Sequence, residues 1–251
     1  MSPYQFTLGC ILFLVSSPRA FGHGTPIHVE VPASQLIVSQ GIPDDGYASL
    51  IFAEDDDDGL PVGQLSLPDV DSVVLWNLPG LDIFGMNDQA NLSIEVLLRP
   101  VRGTNPIERR LVWYWNPQSE EVEPSAASFH LLDSTTNHLT LPGGEATASL
   151  PPFLLADPID GQQGFHNHSL LYYALDDNQD APEGAYGLFA RLKSNLYEPS
   201  DPFLLVFNHG MAYNNMLTAA RAINFASDNL PGDFNRDGNV DAADFVVWRD
   251  T

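Results

Sequence analysis

Six residues near the C-terminal end carry oxygen donors at a spacing that suits a calcium ion. With Asp233 as position 1, Asn235 is position 3, Asp237 position 5, Asn239 position 7, Asp241 position 9 and Asp244 position 12. Calcium is a hard cation that takes about six to eight oxygen ligands. Asp233, Asn235 and Asp237 would turn side-chain oxygens inward, and Asn239 would give its backbone carbonyl. Asp241 would act directly or through water, and Asp244 would close the sphere. Gly238 stands at position 6, where the loop must turn sharply and a residue without Cβ is favoured. An aspartate at position 12 is one methylene shorter than the usual glutamate, so the sphere closes more tightly or is finished by water. The plainer alternative is an acidic surface turn.

The element that must position this loop follows it. Ala242, Ala243 and the run Phe245 to Arg249 contain no helix breaker, and Val240, Phe245 and Trp248 form one apolar face. A helix of about ten residues does not persist alone in water, so it needs the ion-bound loop and a surface for Phe245 and Trp248. Gly-Asp-Phe-Asn at 232–235, Gly-Asn-Val-Asp at 238–241, Ala-Ala-Asp at 242–244 and Val-Val-Trp-Arg at 246–249 together resemble one repeat of a type I dockerin, an EF-hand-like calcium unit. The resemblance covers residues 232–249. It implies calcium as cofactor and a cohesin-like or cell-surface protein as partner, because dockerins carry two such repeats whose helices bind a cohesin module. One repeat is present here, with no second loop upstream. The β-rich part of the chain, a helix at 213–226 or a partner must therefore supply the apolar surface.

Other residues suggest different chemistry. His166 and His168 are two apart on an expected strand and so share a face. With His130, His138 or His209 they could hold a transition metal in a way that resembles cupin jelly rolls, although the carboxylate that follows the paired histidines in that family is missing. The competing reading is surface hydrogen bonding. His23 and His28 flank Gly24-Thr25-Pro26 at the expected new N-terminus, where the α-amine and imidazole of His23 with a second histidine could chelate copper, an arrangement that resembles the histidine brace of copper oxygenases. Trp113 and Trp115 alternate with other residues on one strand, which fits a sheet core or an exposed sugar-stacking platform for a polysaccharide. No G-x-S-x-G and no glycine-rich phosphate loop occurs. Glycosidase carboxylates cannot be assigned from 33 acidic residues. The expectation is an exported, non-enzymatic protein with a calcium-binding tail for surface attachment or assembly. The alternative is a carbohydrate-binding module or a component of a carbohydrate-active enzyme.

Composition narrows the partners and the compartment. Ten basic residues against 33 acidic ones give a formal net charge of −23 over 251 residues. Such a surface repels a phosphate backbone, so nucleic acid is not expected as a partner. Residues 1–22 read as a signal peptide, with an apolar run over 6–15 and Ala20 and Gly22 placed for cleavage before His23. That places the mature protein outside the cell or in the envelope or periplasm. No further run is long enough to span a membrane. Cys10 is the one cysteine and lies in the leader, so no disulfide is expected. Asn91 and Asn167 begin acceptor patterns for N-glycans.

The remainder reads as short strands between turn signals. Strand candidates lie at 27–31, 35–39, 47–53, 73–76, 92–98, 109–115, 127–132, 145–150, 165–175, 185–193 and 203–208. Tyr186, Leu188, Ala190 and Leu192 form the core face of the 185–193 strand. The acidic run at 54–58 is expected to be a loop. Many short strands and no βαβ spacing predict a mainly β fold, an antiparallel β-sandwich or jelly roll, followed by a short helical unit. The divisions expected are a signal peptide at 1–22, a β-sandwich domain at 23–208, a helical connector and linker at 209–232, and the calcium unit at 233–251.

Overall fold

The computed structural model describes residues 27–31, 34–38, 49–53, 73–76, 81–86, 90–104, 106–133, 137–155, 167–169, 171–176, 181–227 and residue 242. Among the described residues the fold is mainly β, with a short helix towards the C-terminal end. In chain order the strands are β1 (Ile27–Glu30), β2 (Ile37–Val38), β3 (Ser49–Ala53), β4 (Val73–Trp76), β5 (Leu81–Phe84) and β6 (Leu92–Val96). Next come β7 (Arg99–Pro100), β8 (Arg109–Arg110), β9 (Trp113–Asn116), β10 (Glu121–Pro124), β11 (Phe129–Asp133) and β12 (His138–Leu141). The series ends with β13 (Phe153–Leu154), β14 (Asn167–Ser169), β15 (Leu171–Asp176), β16 (Gly184–Ser194) and β17 (Phe203–His209). A 3₁₀ turn at Tyr213–Asn215 leads into helix α1, Met216–Ala226.

β16 is the spine of the largest sheet. Its first half pairs with β9 and its second half with β6, while β17 runs along its other edge. The sheet order is β10-β9-β16-β17-β3, with β6 attached to β16 and β13 to β6. Two four-stranded sheets, β14-β5-β1-β2 and β12-β11-β15-β4, supply the opposing layer. Pairing among the described strands is antiparallel except for β1 with β5 and β17 with β3, which run parallel. Parallel neighbours need long crossovers, so these two pairs join segments that lie far apart in the chain.

The main core lies between the layers. Tyr186, Leu188, Ala190 and Leu192 of β16 face it, as the alternation predicts, together with Phe203, Leu205 and Phe207 of β17. Opposite them stand Phe129 and Leu131 of β11, Tyr173 and Leu175 of β15, Ile27 and Val29 of β1, and Leu81 and Ile83 of β5. The Phe207 ring lies 4.8 Å from both the Phe129 and Tyr173 rings, which ties the layers together.

A second apolar cluster lies on the outer face of the large sheet. Trp113, Trp115, Ala185, Phe189, Leu204 and Val206 are covered there by Met216, Ala219, Ala220 and Ile223 of α1. Those four helix positions fall at i, i+3, i+4 and i+7, the stripe of an amphipathic helix. The segment expected as a connector is thus packed onto the sheet. Where both faces are covered, over residues 184–190, β16 is buried without interruption and carries no charged residue, as in a strand buried on two sides.

Several expected strands differ in detail. Residues 145–150 form no strand. The 109–115 candidate splits at a bend over 111–112 into β8 and β9. The 165–175 candidate divides into β14 and β15, which join different sheets.

Candidate functional site

The calcium-ligand residues Asp233, Asn235, Asp237, Asn239, Asp241 and Asp244 lie outside the described residues, as do His23 and His166. Ala242, the described residue within that unit, is helical and exposed. The signal segment at 1–22 and the acidic run at 54–58 also fall outside the described residues.

The expected histidines are distributed over different sheets. His130 is on β11 and His168 on β14, so the tertiary fold assigns them to separate four-stranded sheets. Phe129 and Leu131 face the main core, which turns His130 to the opposite face, where it is nonetheless only 4% exposed. Its Nδ1 lies 3.1 Å from Thr140 Oγ1 on the adjacent β12, and its Nε2 has no hydrogen-bond partner. Burial lowers the His130 pKa below the ordinary histidine value; Asp176 opposes that shift and His138 adds to it. A neutral imidazole held by a threonine is a structural arrangement. His138 is exposed at the start of β12. His209 Nε2 lies 3.1 Å from the Ala181 carbonyl oxygen. Among the residues whose side chains are described, no three metal-capable groups gather.

His28 has a different setting from the one its place beside His23 suggests. It stands on β1, directly opposite Asp82 of the parallel neighbour β5. On the other side of β5, Asp82 is opposite His168 of β14. Sequence reasoning did not include Asp82, because nothing local distinguishes one acidic residue among 33.

Trp113 and Trp115 are 0% and 2% exposed. Trp113 meets Phe189 edge-on at 5.8 Å, and the Arg110 guanidinium lies 5.7 Å from its ring centroid. Both indoles therefore belong to the cluster beneath α1, and of their two expected roles the structure places them in the core. A groove of about 160 Å³ lies beside the edge strand β2, between residues 35–38 and 201–203. It is smaller than the ~300 Å³ at which small-molecule sites begin. Among the described residues no helix is long and apolar enough to cross a membrane.

No protein-family model matches the chain, and no curated protein matches it in sequence. Among solved structures, the crystal structure of the CupB6 tip adhesin from Pseudomonas aeruginosa aligns with 73% of this chain at 7% identity and a TM-score of 0.28. The alignment covers 41% of the adhesin, so this chain spans about two fifths of its length. A likeness at this level carries no argument about function.

Proposed function

We propose that the protein is exported and that residues 233–251 form a calcium-dependent attachment unit at the end of a β-rich domain. The observation that supports this is the placement of five oxygen-bearing side chains, Asp233, Asn235, Asp237, Asp241 and Asp244, around Gly238 at calcium-loop spacing. Without the ion, four carboxylates crowd one loop and their repulsion disfavours the closed turn. A divalent cation reverses that balance and stabilises the folded loop by mass action. Folding of the loop then orders the helix that carries Phe245 and Trp248, and that apolar face is offered to a cohesin-like or cell-surface protein. The alternative of a polysaccharide-binding module loses its aromatic platform, since Trp113 and Trp115 are buried.

The test is a calcium titration of the purified protein, with the Trp248 fluorescence taken as the difference from a Trp248→Phe variant, because Trp76, Trp113 and Trp115 also emit. Saturation at or below millimolar calcium, abolished by Asp237→Ala, is the expected result. A flat response up to that concentration, with the tail remaining protease-sensitive, contradicts the reading.

A further inference from the structure

The few basic residues of this acidic chain are not spread evenly over it. Of the ten, Arg19, Arg236 and Arg249 lie outside the described residues, and Arg191 and Lys193 are both held by Glu95. The other five are Arg99, Arg102, Arg109, Arg110 and Arg221. They stand on β7, β8, the turn between them and α1. Ribbon and helix meet where the Arg102 backbone N–H donates to the Ala226 carbonyl oxygen.

This corner has a buried layer. Arg99 and Arg110 are directly opposite in the β7–β8 ladder, and both are buried. Their guanidinium carbons lie 5.5 Å from the Phe189 ring centroid and 5.7 Å from that of Trp113. Arg110 Nη2 donates to Glu108, while its Nε and Nη1 have no hydrogen-bond partner among the described residues. Positive charge held beneath a surface is screened less by salt than charge in solvent, so its field reaches the residues above.

The outer layer is open. Phe225 is 53% and Ile107 46% exposed. The exposed Arg102 guanidinium lies 4.1 Å from the Phe225 ring centroid, and Arg109 is half-buried. Among the described residues no carboxylate pairs with Arg102 or Arg109. A Cβ added to Gly103 would meet no atom within 4 Å, so the turn beside Arg102 faces open space. The turn is also held in shape. The Thr104 hydroxyl donates to the Val101 carbonyl oxygen and accepts from the Glu108 N–H, each at 2.9 Å. A surface fixed in this way loses less entropy when a partner docks.

The chemistry of the corner selects its occupant. An exposed aromatic ring stacked on arginine, with an aliphatic side chain nearby, is the composition of a protein-interface centre. Carboxylates pair with guanidinium groups in a planar, bidentate way, and an apolar side chain between them would cover Phe225. A membrane surface or a long polyanion is disfavoured, because a net charge of −23 repels an extended array of negative charge. A short acidic segment meets mainly the local positive field, since the remaining charge is screened beyond about 8 Å at physiological salt. We propose that the corner formed by Arg102, Ile107, Arg109 and Phe225 docks a protein segment that carries carboxylates on both sides of an apolar residue. This surface belongs to the β domain and does not depend on the calcium reading of the tail.

The probes are labelled synthetic peptides with a central phenylalanine–leucine pair and two, three or four acidic residues on each side. Their binding to the full chain is followed by fluorescence anisotropy with calcium in excess. Saturable binding is expected, weakening as salt rises from about 0.01 to 0.15 M. Arg102→Glu and Phe225→Ala should each weaken it about tenfold or more, as should alanine in place of the peptide's apolar pair, while Lys193→Ala leaves it unchanged. Thermal melts show whether the variants are folded, and Arg102→Gln takes the place of Arg102→Glu should charge reversal loosen α1. No saturable binding to any of the peptides overturns the proposal, and so does binding that Arg102→Glu and Phe225→Ala leave unchanged. Anionic vesicles or a polyuronate binding in preference to the peptides also overturn it. So does a corner already occupied, either by a second copy, seen as self-association that Arg102→Glu abolishes, or by the chain's own acidic tail, seen as protease trimming of residues 228–251 that Arg102→Glu accelerates.

Discussion

His130 is kept neutral by its surroundings. Its ring is buried on β11, one nitrogen meets Thr140, and burial is the largest cause of its lowered pKa. Since the folded value lies below the ordinary histidine value near 6.5, protons bind the unfolded chain more readily. The contribution to stability is then complete above about pH 6.5 and is lost as pH falls through the folded value. Urea melts from pH 7.5 down to pH 5 should show this loss, and His130→Asn should flatten that part of the profile at some cost in stability at neutral pH. Equal pH slopes for the two proteins would show that His130 does not titrate on unfolding. Trp113 and Trp115 teach a related lesson, because a residue type suited to sugar stacking is here wholly committed to packing.

Among the elements, β16 and α1 depend on one another. Gly187 lies on the β16 face that α1 covers, and a Cβ there would sit 3.1 Å from the Ile223 side chain and 3.3 Å from Leu204 Cδ1. Ala219 and Ala220 on the helix are also small, so sheet and helix approach closely. Gly187→Val would overfill this seam, with an expected cost of about 1–3 kcal/mol, measured as a lower urea midpoint. α1 should loosen first, visible as faster amide exchange at residues 216–226 than in the β17 core. Unchanged stability and exchange would mean that the helix shifts freely on the sheet. The helix end is tied down by Arg102, whose backbone N–H donates to the Ala226 carbonyl oxygen at 2.8 Å and whose guanidinium stacks 4.1 Å from the Phe225 ring centroid. A cation at that end also complements the helix dipole.

At the scale of the whole molecule, a chain with net charge −23 concentrates its positive charge. Arg99, Arg102, Arg109 and Arg110 belong to β7, β8 and the turn between them, and Arg102 joins this ribbon to the end of α1. The acidic segment beyond residue 227 starts from this corner, with six aspartates against Arg236 and Arg249. If that segment folds around calcium as a unit of its own, ion removal should act on it alone. Thermal melts in chelator should leave the main β transition where it stands in calcium, while protease trimming of residues 228–251 becomes faster. Magnesium at equal ionic strength should not protect the tail. A main transition that falls together with the tail when calcium is removed would mean that the loop and the β domain unfold as one.

What could be read from the sequence was local. Alternation over residues 27–31 and 186–192 identified core faces correctly, because the two-residue period of a strand is written in neighbouring side chains. The mainly β class followed from many such segments, and the proposal of a calcium loop rests likewise on a spacing within twelve residues. Other features depended on which segments meet. The 165–175 stretch looked like one strand, yet its halves pair with β5 and with β11 and β4. The tryptophans alternated as either a platform or a core would require, and only the position of α1 above them decided between the two. His28, Asp82 and His168 carried no shared local signal, since their common row arises from one parallel and one antiparallel ladder between distant segments. Periodicity records which face of an element is apolar; the pairing of distant strands, set by burial over the whole molecule, determines which residues stand side by side.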